Sequence, residues 1–190
     1  MWSNPPNDMR LIGLAGWSGS GKTTLVTALV PLLIARGRTV STIKHAHHAF
    51  QVDLPGKDSR EHRQAGASEV IVSSSGRWVQ MHENGDEPEA TLAQLLRRLS
   101  PCDLVLVEGF KRASHPKLEI YRAQIGKPPL HPGDPRILAM ATLGPPPQAK
   151  IPVLDLDDVT AIADFVCTHA EPLAAVLAAL EDDRSDGPAL

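Results

Sequence analysis

The sequence predicts an α/β fold: a mostly parallel sheet with helices on both faces, plus a small antiparallel hairpin. Three observations lead to this prediction. Short apolar runs of strand length alternate with segments of helical periodicity along the 190 residues. Prolines cluster between these segments, where the amide that proline lacks is not needed by a helix or a strand ladder. Strand–helix–strand units with short connections favour right-handed crossovers and hence parallel strands.

The first three elements follow from local patterns. Arg10–Ala15 is a short apolar run that stops at Gly16, which predicts a buried strand entering a glycine turn. Residues 23–36 carry leucines at helical spacing and are followed by Gly37, so we expect a helix that ends there. Residues 39–44 predict the second strand.

The middle of the chain departs from this alternation. Residues 59–64 predict a short helix. Glu69–Ser73 and Trp78–His82 predict two strands that are close enough in sequence to pair as a hairpin. Residues 89–99 place four leucines on one side of a helix, which predicts an amphipathic helix.

The last third returns to the α/β pattern. Residues 103–108 are apolar enough to predict a central parallel strand. Asp157 or Asp158 is suited to begin a helix over residues 159–170. The remaining predicted elements are short strands at 118–121, 137–141 and 153–156, and a closing helix at 173–180.

These elements predict one domain over residues 1–180. Residues 45–85, approximately, would form an inserted loop and hairpin element within it. The acidic stretch 181–190 ends in Gly-Pro-Ala-Leu, which predicts a flexible tail.

Composition excludes several functional classes. A formal net charge of −3 gives no basic excess for binding nucleic acid or an anionic membrane. No apolar run approaches the roughly 20 residues that span a bilayer, and residues 1–10 lack the pattern of a signal peptide, so we expect a cytoplasmic protein. Cys102 and Cys167 have no ligand-like spacing and are expected to be reduced structural thiols.

One motif carries a specific chemistry. Residues 16–23 match the pattern G-x-x-x-x-G-K-[ST] between a predicted strand and a predicted helix, the setting of a P-loop that binds nucleotide phosphates. We expect Lys22 to contact the β- and γ-phosphates and the Thr23 hydroxyl to bind Mg²⁺. A glycine turn that binds nothing would not require the lysine and threonines. The predicted phosphate-binding residues are Gly16, Trp17, Ser18, Gly19, Ser20, Gly21, Lys22, Thr23 and Thr24.

The second half of the site is predicted at the end of the strand over 103–108. Glu108 follows an apolar run, and a carboxylate there would lie near the phosphates, where it could hold Mg²⁺ with Thr23 and orient an attacking water. Glu108 could instead cap the strand end or pair with Lys111. We predict Glu108 as a catalytic and metal-binding residue.

Residues 44–57 leave a neighbouring strand at the same edge of the sheet. Lys44, His45 and Lys57 are therefore predicted to line the nucleotide site, and Asp53 is a second catalytic candidate that could reach Mg²⁺ or a bound water. Lys57 could alternatively form surface ion pairs with its neighbours.

Two further clusters leave alternatives open. The histidines at 45, 47 and 48 could bind a transition metal, or simply form a solvated polar loop. Lys111 and Arg112, with Lys117, could contact the nucleotide phosphates or an anionic second ligand, or remain solvated. We include Lys111 in the nucleotide site.

Taken together, these segments resemble the MobB family of molybdopterin-guanine dinucleotide biosynthesis proteins. The segments that carry the resemblance are 16–25, 44–48, 56–59, 65–67, 107–111, 116–119 and 153–158. The resemblance implies a P-loop NTPase fold and a GTP-binding protein with Mg²⁺ and weak GTPase activity. It also implies a role in assisting the MobA nucleotidyltransferase, which joins GMP to molybdopterin, and possible binding of molybdopterin itself. Family members are homodimers whose sheet extends across the subunits, which points to Trp78–His82 and its partner strand as the interface.

The sequence differs from other GTP-binding relatives in one respect. No acidic residue follows the strand at 137–141 to read the guanine base, so Asp155, Asp157 or Asp158 would have to take that role. Two alternative functions are a small-molecule kinase and a metal-insertion GTPase. A kinase usually has an arginine-rich lid, for which the proline-rich stretch 126–136 is poorly suited.

Overall fold

The computed structural model describes residues 9–46, 58–145 and 148–185. The chain divides into two compact units, one formed by Met1–His45 with Leu92–Leu190 and the other by Ala46–Thr91. The sequence placed an inserted element at about 45–85, close to the bounds of the second unit.

The strands of the described residues are β1 (Arg10–Ala15), β2 (Val40–Lys44), β3 (Glu69–Ser73), β4 (Trp78–His82), β5 (Leu104–Glu108), β6 (Lys117–Tyr121), β7 (Ile137–Thr142), β8 (Val153–Asp155) and β9 (Glu171–Pro172). In the first unit, seven of them form a sheet in the order β2-β5-β1-β6-β7-β8, with β9 paired to β1. All neighbours along this order are parallel, and only β9 is antiparallel. The mostly parallel sheet predicted from the sequence is therefore confirmed.

Helices cover both faces of this sheet. α1 (Lys22–Ala35) and α4 (Val159–His169) pack on one face, and α3 (Leu92–Leu96) and α5 (Leu173–Ser185) pack on the other. The remaining α-helix of the described residues, α2 (Asp58–Gln64), belongs to the second unit. Asp158 caps α4 by accepting a hydrogen bond from the amide of Ala161 over 2.9 Å, as predicted. Within the described ranges, none of the helices is long and apolar enough to cross a membrane.

Two helix lengths differ from the prediction. α3 has five residues, whereas the amphipathic pattern predicted residues 89–99. Its end tightens because the amides of Arg98 and Leu99 bond to carbonyl groups three residues earlier, not four. α5 continues to Ser185, so the first five residues of the predicted tail are helical. An ion pair between Arg97 and Glu181 joins that last part of α5 to the segment after α3.

The two faces of β1 pack into separate hydrophobic clusters. Ile12 and Leu14 face the cluster formed with α1 and α4, while Leu11 faces the cluster formed with α3 and α5. Because β1 is buried on both faces, the buried strand predicted from its apolar run is confirmed. The carboxyl ends of β1, β2 and β5 lie at one edge, where Lys44 and Leu14 are both register partners of Glu108.

The second unit contains α2 and a two-stranded antiparallel sheet of β3 and β4. Its register pairs Val70 with Met81 and Val72 with Val79, which confirms the predicted hairpin. Several large apolar side chains of the hairpin are exposed: Ile71, Val72, Trp78 and Val79.

Candidate functional site

The loop between β1 and α1 has the geometry of a P-loop. β1 ends at Ala15 and α1 begins at Lys22, so the predicted strand–loop–helix context is confirmed. Gly16 has φ 147°, and a Cβ there would lie 2.5 Å from the carbonyl oxygen of Ile120. Gly21 has φ 99° at the start of the helix. Only glycine fits these two positions without strain, which lets the loop amides turn towards a bound anion.

Lys22 folds back onto this loop. Its ammonium donates hydrogen bonds to the carbonyl oxygens of Gly16 and Trp17, each over 2.9 Å. Burial lowers the pKa of Lys22; the Glu108 carboxylate opposes that shift, while the positive charges of Lys111 and Lys44 add to it. An anion bound at the loop would relieve the repulsion among these lysines, so the local charge favours a phosphate.

Glu108 and Thr23 meet at the carboxyl edge of the sheet. The Thr23 hydroxyl donates a hydrogen bond to Glu108 Oε1 over 2.7 Å. The Lys44 ammonium lies 3.0 Å from the Thr23 hydroxyl oxygen and 3.4 Å from Glu108 Oε1. The alternative pairing of Glu108 with Lys111 is not observed among the described residues, since the ion pair of Glu108 is with Lys44.

The oxygen atoms of Thr23 and Glu108 fit a divalent cation. A hydroxyl and a carboxylate are oxygen ligands of the kind that Mg²⁺ prefers, and here they converge within hydrogen-bond distance. The Lys44 ammonium lies beside both oxygens, which shows that the geometry accepts a positive charge.

His45 is fixed next to Glu108 by the turn after β5. Its amide donates to the carbonyl oxygen of Glu108 over 2.9 Å, and its ring lies 4.7 Å from that of Phe110. Gly109 has φ 97°, and a Cβ there would lie 2.7 Å from the Cβ of His45. The close approach of the two chains requires glycine, and it places the backbone of His45 directly beside that of Glu108.

The segment after β6 also contacts the P-loop. Arg122 donates to the carbonyl oxygen of Ser20 over 2.9 Å. The Trp17 indole donates to the carbonyl oxygen of Pro128 over 2.8 Å. The Lys111 and Lys127 ammonium groups lie 4.4 Å and 5.8 Å from the centroid of that indole. Sequence reasoning missed Arg122 and Lys127, although Arg122 directly follows a predicted strand at the same edge.

Buried polar side chains of β6 hold this segment in place. The Glu119 carboxylate accepts hydrogen bonds from the amides of Leu130 and His131, over 2.5 and 3.0 Å. Lys117 is buried and pairs with Asp134 over 2.7 Å. Lys117 therefore does not belong to the exposed basic cluster with which sequence reasoning grouped it.

Some predicted site residues lie outside the described part of the chain. These are Asp53, Lys57, His47 and His48, and their roles stay predictions. Among the residues that the structure does describe, no group of three or more histidine, cysteine, aspartate or glutamate side chains could hold a metal ion.

Asp155, Asp157 and Asp158 are the aspartates that the sequence offers for recognition of the guanine base. Asp158 is committed to capping α4, and Asp155 accepts a hydrogen bond from the amide of Asp157 over 3.0 Å. The side chain of Asp157 is exposed and makes no intramolecular hydrogen bond within the described ranges.

The sequence is similar to proteins of one family. A family model described as molybdopterin guanine dinucleotide synthesis protein B, MobB, matches residues 11–143. A molybdopterin-guanine dinucleotide biosynthesis adapter protein of Escherichia coli K12 is 45% identical over 159 residues, covering 82% of this chain and 90% of the relative. The protein of the same description from Haemophilus influenzae is 45% identical over 161 residues, covering 84% and 89%.

Solved structures agree with this assignment. A crystal structure of molybdopterin-guanine biosynthesis protein B has a TM-score of 0.65 at 27% identity, covering 83% of this chain and 98% of the other. The crystal structure of Bacillus subtilis MobB has a TM-score of 0.67 at 21% identity, covering 85% and 98%, and supports the fold. The chain belongs to the MobB family.

Proposed function

We propose that this protein is a GTP-binding adaptor with weak GTPase activity that assists a MobA-like nucleotidyltransferase in making molybdopterin-guanine dinucleotide. Membership of a family whose relatives are described as adapter proteins of this biosynthesis supports the pathway. The observation that carries the nucleotide chemistry is the meeting of Lys22, Thr23 and Glu108 at the P-loop.

The loop would bind the triphosphate in two ways. Its amides and the start of α1 supply partial positive charge, and Lys22 supplies a full charge at the same place. In the described structure Lys22 donates to loop carbonyl oxygens, which are weaker acceptors than phosphate oxygens. Phosphate binding would therefore exchange two neutral acceptors of Lys22 for charged ones.

Thr23 and Glu108 would hold Mg²⁺, directly or through water. The metal would neutralise charge on the β- and γ-phosphates. Lys44 would then move from Glu108 to a phosphate oxygen, because its ammonium occupies the space beside both oxygen ligands.

Hydrolysis would be slow because few carboxylates contact the P-loop in the part of the chain that the structure describes. Within the described residues, Glu108 is the one carboxylate that accepts a hydrogen bond from the P-loop. It would be shared between the metal and the attacking water, so neither task is done by a dedicated group. Asp53 is the proposed second carboxylate. We propose that Asp157 recognises the guanine base, because Asp155 and Asp158 already accept structural hydrogen bonds.

We further propose a homodimer formed through β3 and β4. The exposed apolar side chains of the hairpin would be buried against the same surface of a second copy. The two-stranded sheet of β3 and β4 would then continue into the corresponding sheet of that copy through an edge strand. The proposed pair of partners is thus a second copy of this chain and the nucleotidyltransferase, with molybdopterin as a possible small-molecule ligand.

A reconstituted maturation assay tests the proposed function. MobA, molybdopterin and limiting GTP are combined with and without this protein, and the yield of guanine dinucleotide is measured. We expect the yield to rise when the protein is present. Equal yields with and without it would contradict the adaptor function.

A further inference from the structure

Trp17 differs from the other P-loop residues because two lysines from separate parts of the chain approach its indole. Lys111 comes from the turn after β5 and lies 4.4 Å from the ring centroid. Lys127 comes from the segment after β6 and lies 5.8 Å from it. Both distances are within the range of attraction between an ammonium and an aromatic ring.

Neither ammonium forms an ion pair with a carboxylate within residues 9–46, 58–145 and 148–185. An aromatic ring differs from a carboxylate in this role, because it attracts an ammonium without cancelling its charge. The two lysines are therefore held close to the P-loop with their positive charges still available to an anion.

The ring itself is well anchored. Its Nε1 donates to the carbonyl oxygen of Pro128, and the segment that carries Pro128 is held by the buried Glu119 through the amides of Leu130 and His131. The indole therefore has a fixed position, and each ammonium approaches it at the end of a long, flexible side chain. A fixed platform with two flexible cations suits a small, doubly charged group such as a phosphate monoester.

The nucleotide does not require all of the positive charge at this edge. Among residues 9–46, 58–145 and 148–185, the cationic groups that contact the P-loop or its neighbours are Lys22, Lys44, Lys111, Arg122 and Lys127, and the carboxylate that contacts it is Glu108. Magnesium cancels part of the charge of a triphosphate, and Lys22 and Lys44 already face that position. The two lysines beside Trp17 therefore supply positive charge for a second anion.

We propose that Trp17, Lys111 and Lys127 form a second phosphate subsite, which takes the phosphate monoester of a second ligand while the nucleotide occupies the P-loop. The inference rests on the proposed function, since a guanine dinucleotide is built from two phosphate-bearing halves. It adds the chemical class of the second ligand, a phosphate monoester, and the residues that bind it.

Isothermal titration calorimetry tests this subsite. The probe is 6-hydroxymethylpterin monophosphate, titrated into protein that is saturated with Mg²⁺ and a non-hydrolysable GTP analogue. We expect binding, and we expect the unphosphorylated pterin to bind at least about ten-fold more weakly, since it lacks the charged hydrogen bonds. Lys127→Gln should weaken binding of the phosphorylated probe by about ten-fold, while Lys150→Gln, which changes an exposed lysine elsewhere, should not.

Three results would overturn the subsite. The first is loss of probe binding when the GTP analogue is saturating, which would mean that the lysines serve the nucleotide phosphates. The second is equal affinity for the phosphorylated and unphosphorylated probes. The third is unchanged affinity in Lys127→Gln. Titration of the GTP analogue alone is run in parallel, so that a failure of nucleotide binding is seen separately from a failure of the second subsite.

Discussion

The Thr23 hydroxyl donates a hydrogen bond of 2.7 Å to the carboxylate of Glu108, which lies 85 residues later in the chain. The contact exists because β1 and β5 are adjacent parallel strands, so the P-loop after β1 and the last residue of β5 reach the same edge. A motif and an isolated acid in the sequence thereby meet at one place, where a hydroxyl oxygen and a carboxylate oxygen converge.

Glu108→Gln should slow GTP hydrolysis by about 100-fold under single-turnover conditions. The amide keeps the shape of the side chain but removes the charge that would hold Mg²⁺ and orient water, and such groups contribute roughly 100-fold or more. Rapid-quench measurement with protein in excess separates this step from binding. Glu87→Gln, at an exposed carboxylate beside His82, is the matched control. Wild-type rates in Glu108→Gln would show that Glu108 takes no part in hydrolysis.

Gly13→Ala should destabilise the first unit by about 1–3 kcal/mol. A Cβ at this position would lie 2.3 Å from Nε2 of the fully buried His115, so the strand or the ring must shift. Gly133→Ala is the control, because nothing lies within 4 Å of the added atom. The free energy of unfolding from urea titration measures both variants, and equal values for the two would contradict the packing seen here.

His115 should make stability depend on pH. Burial, and to a lesser extent the charge of Lys117, lowers the pKa of His115 from 6.5 to about 3; the nearby charges of Asp134 and Arg136 act in opposite directions. Below pH 6.5 the unfolded state therefore binds a proton that the folded state does not, and stability falls as the pH falls from 6.5 towards 3.

The same linkage gives the expected size of the change in unfolding free energy. Between pH 7 and pH 5 the wild type should lose about 2 kcal/mol more unfolding free energy than His115→Leu, which lacks the titrating group. Urea unfolding at the two pH values measures the difference, whatever the absolute stability of the variant. Identical pH dependence in both proteins would mean that His115 is not buried in its neutral form.

Ile71→Glu should weaken the proposed homodimer by at least about ten-fold, because the interface would have to bury an unpaired charge. Ile71 is 64% exposed on the hairpin, and Ile34, 56% exposed on α1, provides a matched control. Sedimentation equilibrium over a range of concentrations measures both. A monomeric wild type, or an Ile71→Glu variant that dimerises as the wild type does, would contradict the interface.

Local patterns in the sequence predicted much of the fold. β1, β3 and β4 have the predicted bounds because their apolar runs stop at turn residues, and the P-loop was recognised from eight consecutive positions. The contact of Trp17 with Pro128 joins residues 111 positions apart, and no local pattern indicates such a pairing. For the same reason, the role of the segment after β6 was visible only in the structure.

Buried polar residues were also hidden from sequence reasoning. Lys117 and Glu119 alternate along β6 with apolar residues, a pattern that normally marks a solvent face. Here the segment 122–136 covers that face, and its amides and Asp134 provide the partners that make burial possible. The sequence shows that polar and apolar residues alternate along β6, but it does not show which segment covers the polar face.

The most direct test of the nucleotide site is calorimetric titration of Lys22→Ala with Mg²⁺ and a non-hydrolysable GTP analogue. Lys22 contributes a full positive charge inside the loop, so we expect its loss to weaken binding by about 100-fold or more. Circular dichroism should show the wild-type fold, and Lys150→Ala should bind as the wild type does. Wild-type affinity for the GTP analogue in Lys22→Ala would contradict the assignment of this loop as the phosphate site.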